Sequence, residues 1–434
     1  MIINQDIFLN KKILIYGLGK SGIATYYFLN QKSDVFLYDD FKFNTKNPKL
    51  KKKIINHKNV LTSKFDKIIL SPGIDINKCK LSKFLKKNYS KVYTDLDVFY
   101  SFYKNKCITI TGTNGKSTTC QLMYEILLNH KFDSKLVGNI GNPILSVKKV
   151  KKKTFFVVEA SSYQLEYSKI FKTKYAVILN LSPDHIERHR TFKNYVKAKF
   201  KLLKNQSRSD SAFINKNDVF IQRELKTNKF RCRIIKVDNR ITDSFLKKIN
   251  NNYFLTEANK ENLSFVLEIS KKLNLKKNLL LKTFKNFKGL NYRQQIIFKN
   301  KYLTIINDSK STSFSSSIGV LKTNENVYWL LGGIHKKGDK FNLSKKYCKN
   351  IKAFIYGKNK KFFEKKFKYK IKFEKFYNIK EALKKIIVKV KKENPLEQKT
   401  ILFSPSAASF DSFKNFEDRG NYFNKLINEY KNGL

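Results

Sequence analysis

The sequence predicts an α/β protein of three consecutive domains. Three observations carry that expectation. Short apolar runs that end in turn signals alternate with helical patterns along the 434 residues, as the strands of parallel sheets do. A chain of this length calls for two to three domains, each burying its own core. Two glycine-spaced turns, at residues 17–22 and 112–115, each follow an apolar run and precede a helical one. The expected divisions are a Rossmann-like domain at 1–104, a central phosphate-loop domain with a parallel sheet at 105–289, and a second Rossmann-like domain at 290–434.

The first domain reads as βαβ. Residues 13–16 (Ile-Leu-Ile-Tyr) suit a buried strand, a helix runs to about Asn30, and residues 35–38 form the next strand, ending at Asp39-Asp40. Further strands fit 67–70 and 91–93. Gly17, Gly19 and Gly22 match G-x-G-x-x-G, with Asp39 following at the spacing of a ribose-binding acid. Alone, this motif suits a dinucleotide site and an oxidoreductase. It also suits any phosphate or nucleotide-linked group, or a tight turn with no ligand.

In the middle domain, the apolar run 107–110 feeds Thr111-Gly112-Thr113-Asn114-Gly115-Lys116-Ser117-Thr118, and a helix is expected over 119–128. Glycines let backbone N–H groups close on phosphate oxygens, and the helix N-terminus adds a positive dipole end. Lys116 can reach terminal phosphates and Ser117 can hold Mg²⁺. Ile110 stands where the full Walker pattern has glycine, so the loop is a variant. Strands are expected at 155–158, 175–181 and 232–237, with helices at 192–203 and 261–273. Glu159 ends one strand, and Asn180-Leu181-Ser182-Pro183-Asp184-His185 ends the next. A carboxylate and an imidazole at strand ends beside a phosphate loop are placed to bind metal on ATP.

The last domain alternates again. Strands fit 303–306, 327–331, 353–356 and 401–403, and helices fit 378–390 and 415–430. Asn307-Asp308-Ser309-Lys310-Ser311-Thr312, Leu330-Leu331-Gly332-Gly333 and Ser404-Pro405-Ser406 are the polar strand ends. Three polar edges with one ATP loop suggest a ligase closing over several substrates.

Composition narrows the class. The 41% hydrophobic content fits a globular protein. No run approaches the ~18 apolar residues of a membrane span, and residues 1–10 lack a signal-peptide pattern. Five cysteines without a C-x-x-C pair suit reduced thiols in a cytoplasm. The net charge of +56 would suit nucleic-acid binding. Its lysine-rich stretches, at 51–53, 148–153, 358–361 and 384–385, are scattered, which fits a residue bias over solvated faces better. Such a surplus still attracts anionic substrates.

These motifs resemble the Mur ligase family, the ATP-dependent amide ligases of peptidoglycan precursor synthesis. The resemblance spans essentially the whole chain. It rests on Thr111 to Ser117, Glu159, Asn180 with Asp184-His185, and Asn307-Asp308-Ser309-Lys310. Gly17 to Gly22, Ser71-Pro72-Gly73-Ile74, Ser404 to Asp411 and Phe413 to Gly420 narrow it to the member that adds D-glutamate to UDP-N-acetylmuramoyl-L-alanine. The resemblance implies ATP as substrate, two Mg²⁺ ions and an acyl-phosphate intermediate. A cytoplasmic monomer with no specific nucleic-acid partner and no membrane is expected. By position, Gly19, Lys20, Ser21, Asp39 and Ser71 would hold UDP, and Asn139 would touch the UDP-sugar. Gly112, Thr113, Asn114, Gly115, Lys116, Ser117 and Thr118 would hold ATP phosphates, with Asn262, Arg293 and Asp308 on the adenosine. Lys116, Glu159, His185 and Lys199 would be catalytic. Ser117, Glu159, His185 and Lys199, the last as a carbamate, would bind metal. Lys310, Thr312, Lys337, Ser409 and Phe416 would surround D-glutamate. Ala258 departs from the His that the family often places before Asn259 and Asn262, and Lys336 competes with Lys337.

Overall fold

A computed structural model describes residues 5–335, 339–393 and 397–430. The chain forms two compact units, Met1–Arg240 with Glu261–Thr283, and Ile241–Lys260 with Phe284–Leu434.

The first unit holds two parallel sheets. β1 (Lys12–Tyr16), β2 (Asp34–Tyr38), β3 (Lys67–Leu70) and β4 (Val92–Thr94) run in the order β2-β1-β3-β4. The second sheet contains β5 (Cys107–Thr111), β6 (Ser134–Gly138), β7 (Phe155–Glu159), β8 (Tyr175–Ile178), β9 (Ser211–Asn215) and β10 (Arg233–Val237). Its order is β10-β9-β8-β5-β7-β6. Every residue of β5 is buried, and strand order turns back around it. The loop leaving β5 therefore opens at the crevice where open α/β sheets bind ligands.

One apolar core joins the two sheets: Ile13, Leu37, Leu96 and Phe99 continue into Phe156, Phe171 and Tyr195. Phe99 meets Phe156 edge-on at 4.9 Å between ring centroids. Buried Asp97 adds a polar pin. Its Oδ2 accepts from Thr94 N, capping the helix Asp95–Phe102, and its Oδ1 accepts from the backbone of Lys169, Ile170 and Phe171.

The second unit holds β11 (Gln295–Lys299), β12 (Leu303–Asn307), β13 (Val327–Gly332), β14 (Ile351–Tyr356), β15 (Lys372–Lys375) and β16 (Lys399–Phe403). Their order is β11-β12-β16-β13-β14-β15, and only the β11 edge is antiparallel. Trp329 and Leu331 face one core while Tyr328 and Leu330 face the other, the alternation that a sheet covered on both faces requires. Residues 241–260 and 284–289 belong to this unit. Phe254 packs on Phe284 and Phe287, and the Asn251 amide donates to Phe284 O and Phe287 O.

Most expected elements are present, with two shifts that shape the site. The helix after β5 begins at Lys116, not 119, because Gly115 at φ +83° turns the chain directly into it. The strand expected over 175–181 ends at Ile178. There Asn180 O accepts from Thr113 N, and Leu181 N donates to Asp218. Tertiary partners outweigh the apolar character of Leu179 and Leu181.

Candidate functional site

The loop leaving β5 is built for close backbone approach. Gly112 and Gly115 have φ of +149° and +83°, conformations that a side chain disfavours. A Cβ on Gly115 would stand 2.1 Å from Asn262 Oδ1. Asn180 pins the loop by accepting from Asn114 N at 2.8 Å and donating to Asn114 O at 3.3 Å. Thr113 Oγ1 lies 2.9 Å from the Tyr195 hydroxyl. Lys116 Nζ folds over the loop, donating to Gly112 O and Thr113 O at 2.8 Å each. Thr118 follows in the first turn of the helix Lys116–Asn129. Asn262 reaches the same helix, accepting from Thr119 Oγ1 at 3.1 Å.

Several residues proposed for metal and catalysis converge on this loop. Glu159 ends β7, is 1% exposed, and accepts from Ser117 Oγ at 2.6 Å and Asn139 Nδ2 at 2.8 Å. Lys199, on the helix Phe192–Lys204, is also 1% exposed. Its Nζ donates to Gly112 O at 2.8 Å. Burial, reinforced by the Lys116 ammonium, holds the Lys199 amine well below the ordinary lysine range. Two lysines thus aim at one carbonyl, and the buried one sheds its proton most readily. A neutral buried amine is the form that can take up CO₂, and a carbamate there would bring an anion beside Glu159 and Ser117. The donor set of carboxylate, hydroxyl and carbamate suits Mg²⁺, a hard cation that prefers oxygen.

His185 caps the short helix Ile186–His189 in a left-handed conformation, φ +54°. Its Nδ1 lies 2.9 Å from the Tyr163 hydroxyl. Its ring faces that of Tyr195, so it borders the loop through an aromatic neighbour. Among the described residues, no cluster of three or more His, Cys, Asp or Glu side chains forms a ready metal cage.

The first-domain turn has its own architecture. Ser71 Oγ donates to Gly17 O at 2.5 Å, and Asp39 Oδ2 accepts from Leu18 N at 2.6 Å. A Cβ on Gly22 would sit 1.9 Å from Gly17 O, so the turn needs glycine there. Gly19 and Lys20 are exposed, and Ser21 is half-buried at the helix start. A cavity of about 320 Å³ opens beside Asp39, walled by Leu18, Tyr38, Phe41, Lys42 and His57. Asp39 was legible in the sequence and these neighbours were not, because they come from three separate stretches of chain.

In the second unit, Asp308 and Lys310 leave β12, and Ser409 follows β16. Asp308 is buried and accepts from Ser404 Oγ at 2.7 Å and Gln294 N at 3.1 Å. Burial pushes its carboxyl up to about 7 despite Ser404 and the nearby Arg293. Lys310 Nζ stands 3.7 Å from the centre of the Phe416 ring, and Lys310 N donates to Tyr292 O. Thr312 is half-buried and Ser409 buried. Arg293 and Asp308 belong to this unit, whereas the phosphate loop belongs to the first. Lys337, with its rival Lys336, lies outside the described residues. The sequence reading gave no role to Arg419, which is 1% exposed and donates to Ser309 O, Ser309 Oγ and Ala407 O. It stands inside the Phe413 to Gly420 signature, which was the available signal.

The Mur ligase middle-domain model matches residues 110–281, and the N-terminal domain model of MurD-like Mur ligases matches residues 11–92. A UDP-N-acetylmuramoylalanine–D-glutamate ligase of Rickettsia felis is 33% identical, with 96% of each chain covered. This chain belongs to the Mur ligase family. Within the family it is closely related to the D-glutamate ligases. That of Rickettsia prowazekii is 35% identical, covering 96% of this chain and 97% of its relative. That of Buchnera aphidicola is 34% identical over 97% and 98%. Solved Mur ligases share the fold. UDP-N-acetylmuramate-alanine ligase MurC of Thermotoga maritima has a TM-score of 0.56 at 16% identity, covering 98% of this chain and all of its own. MurF of Acinetobacter baumannii has 0.57 at 16% identity, covering 77% and 79%. Among the described residues, no helix is long and apolar enough to cross a membrane.

Proposed function

We propose that this Mur ligase joins D-glutamate to UDP-N-acetylmuramoyl-L-alanine, with ATP cleaved to ADP and phosphate, in peptidoglycan precursor synthesis. The observation that carries the reading is the buried set around the phosphate loop, Glu159 with Ser117 and Asn139, together with deprotonation-prone Lys199. A MurD-like first domain supports the choice of substrate.

In this mechanism a carboxylate oxygen of the alanyl end attacks the γ-phosphorus, and ADP leaves. The amine nitrogen of D-glutamate then attacks the acyl carbon, its proton passes to solvent, and phosphate leaves. The loop N–H groups and Lys116 bind the phosphates and offset their charge. Mg²⁺, when bound, supplies further neutralisation of phosphate and carboxylate. Glu159, Ser117, His185 and carbamylated Lys199 would hold it. Gly19, Lys20, Ser21, Asp39 and Ser71 position the UDP, with Asn139 toward the sugar. Asn262, Arg293 and Asp308 serve the adenosine. Lys310, Thr312, Lys337, Ser409 and Phe416 serve the two carboxylates and the apolar stem of D-glutamate.

Purified protein supplied with ATP and Mg²⁺ is expected to release ADP only when UDP-N-acetylmuramoyl-L-alanine and D-glutamate are both present. ADP release driven by DNA or by a folate, or equal use of L-glutamate, would overturn the reading.

A further inference from the structure

Beside the amino-acid pocket, the second unit contains a chain of buried hydroxyls that the reaction as proposed does not use. Ser404 Oγ lies 2.7 Å from Asp308 Oδ2 and 2.7 Å from Ser317 Oγ. Ser317, on the helix Phe314–Lys322, lies 2.6 Å from Ser406 Oγ and 2.6 Å from Ser311 Oγ. Ser311 in turn lies 2.9 Å from Ser316 Oγ and 3.5 Å from Ser313 O. Ser317 and Ser404 are 0% exposed and Ser311 is 3% exposed.

A hydroxyl has one hydrogen to give and two lone pairs to receive with. Ser317 has three hydroxyl neighbours, so its capacity is full. When Asp308 is ionised it can only accept, which fixes every hydrogen in the chain. Ser404 gives to Asp308, Ser317 gives to Ser404, and Ser311 and Ser406 give to Ser317. When Asp308 carries a proton it can give to Ser404, and the direction reverses through Ser317. The reversal must leave by Ser311. That hydroxyl has Ser316 Oγ and Ser313 O as alternative acceptors. Among the described residues, Ser406 Oγ has only Ser317.

We infer that Ser404, Ser317 and Ser311 form a hydroxyl relay that passes the protonation state of Asp308 to the loop carrying Lys310 and Thr312. Ser317 is then a positioning residue for the amino-acid pocket, an assignment that rests on the proposed reading of that loop as the D-glutamate site. Ser311 stands in the chain between the two pocket candidates, and its Oγ ties that loop to Ser313 O and Ser316 Oγ at the start of the following helix. Among the described residues, Arg293, before β11, and Arg419, on the helix Phe416–Tyr430, bring positive charge to Asp308. Arg419 is shared with Asp411 and Tyr356. Burial raises the Asp308 carboxyl to about 7, which brings the change of hydrogen-bond direction toward neutrality.

The test uses wild type, Ser317→Ala and Ser317→Thr across the titration of Asp308. The wild-type KM for D-glutamate is expected to change through that range. Ser317→Ala flattens the change and leaves KM for the UDP-linked substrate in place. Ser317→Thr, which keeps the hydroxyl, restores it. A wild-type profile in Ser317→Ala, or both KM values moving together, overturns the relay. A second readout needs no turnover: the Asp308 carboxyl carbon followed by NMR. Without Ser317, the bond from Ser404 to the carboxylate loses its polarising neighbour. Asp308 should then titrate about half a pH unit higher or more in Ser317→Ala than in wild type or Ser317→Thr. Equal titration in all three proteins overturns the relay. A titration shifted in Ser317→Ala, where the wild type does not use D-glutamate, overturns the proposed reaction instead and leaves the relay standing.

Discussion

Burial shifts both Lys199 and Asp308, and each shift has a direction that can be tested. Lys199→Ala should lower turnover about 100-fold or more, as loss of a group supporting a metal site does. Added short carboxylates should restore part of it by supplying the missing anion. Full activity in Lys199→Ala would remove the carbamate from the mechanism. Asp308 has a folded pKa near 7 against an ordinary 3.8. The native state therefore keeps a proton that the unfolded chain has lost. Its contribution is intact below the unfolded value and declines as pH rises to about 7. The decline is on the order of a few kcal/mol. Asp308→Asn should abolish that slope in denaturant titrations across this window; an unchanged slope would show that Asp308 ionises freely. Neither shift was legible in the sequence. Lysine is common throughout this chain, and burial is a property of the fold. Lys199 was reached only through family resemblance, and the partners of Asp308, Ser404 Oγ and Gln294 N, come from two other stretches of chain.

At the scale of elements, the two glycine-spaced turns were the most legible parts, because glycine spacing reports backbone geometry directly. Gly22 was marked by its motif, and the structure gives the reason: a Cβ there meets Gly17 O at 1.9 Å. Gly22→Ala should force β1 and the following helix apart at a cost of ~1–3 kcal/mol. It should raise KM for the UDP-linked substrate while leaving that for ATP nearly unchanged. Equal effects on both substrates would place the turn outside the UDP site. Strands were less legible where short or mixed. Ser134–Gly138 and Ser211–Asn215 were missed because Ser, Lys, Gly and Asn interrupt their apolar character. They are strands because parallel neighbours on the sheet satisfy their backbone. The antiparallel β11 was missed for a related reason. Its half-buried edge, Gln295–Lys299, carries a bulge and little apolar periodicity.

For the whole molecule, alternating patterns were enough to predict parallel α/β architecture, and all three sheets bear it out. The grouping of residues 241–260 with the last sheet was not legible, since it depends on Phe254 meeting Phe284 and Phe287. The +56 charge gives no fold information, but it should make capture of anionic substrates sensitive to ionic strength. In the proposed reaction a carboxylate is activated by phosphorylation and then handed to D-glutamate. The most direct measurement uses UDP-N-acetylmuramoyl-L-alanine with ¹⁸O in its alanyl carboxylate. With ATP and D-glutamate, one ¹⁸O is expected in each inorganic phosphate released and the other in the amide product. Phosphate released without ¹⁸O while the amide forms would contradict an acyl-phosphate route.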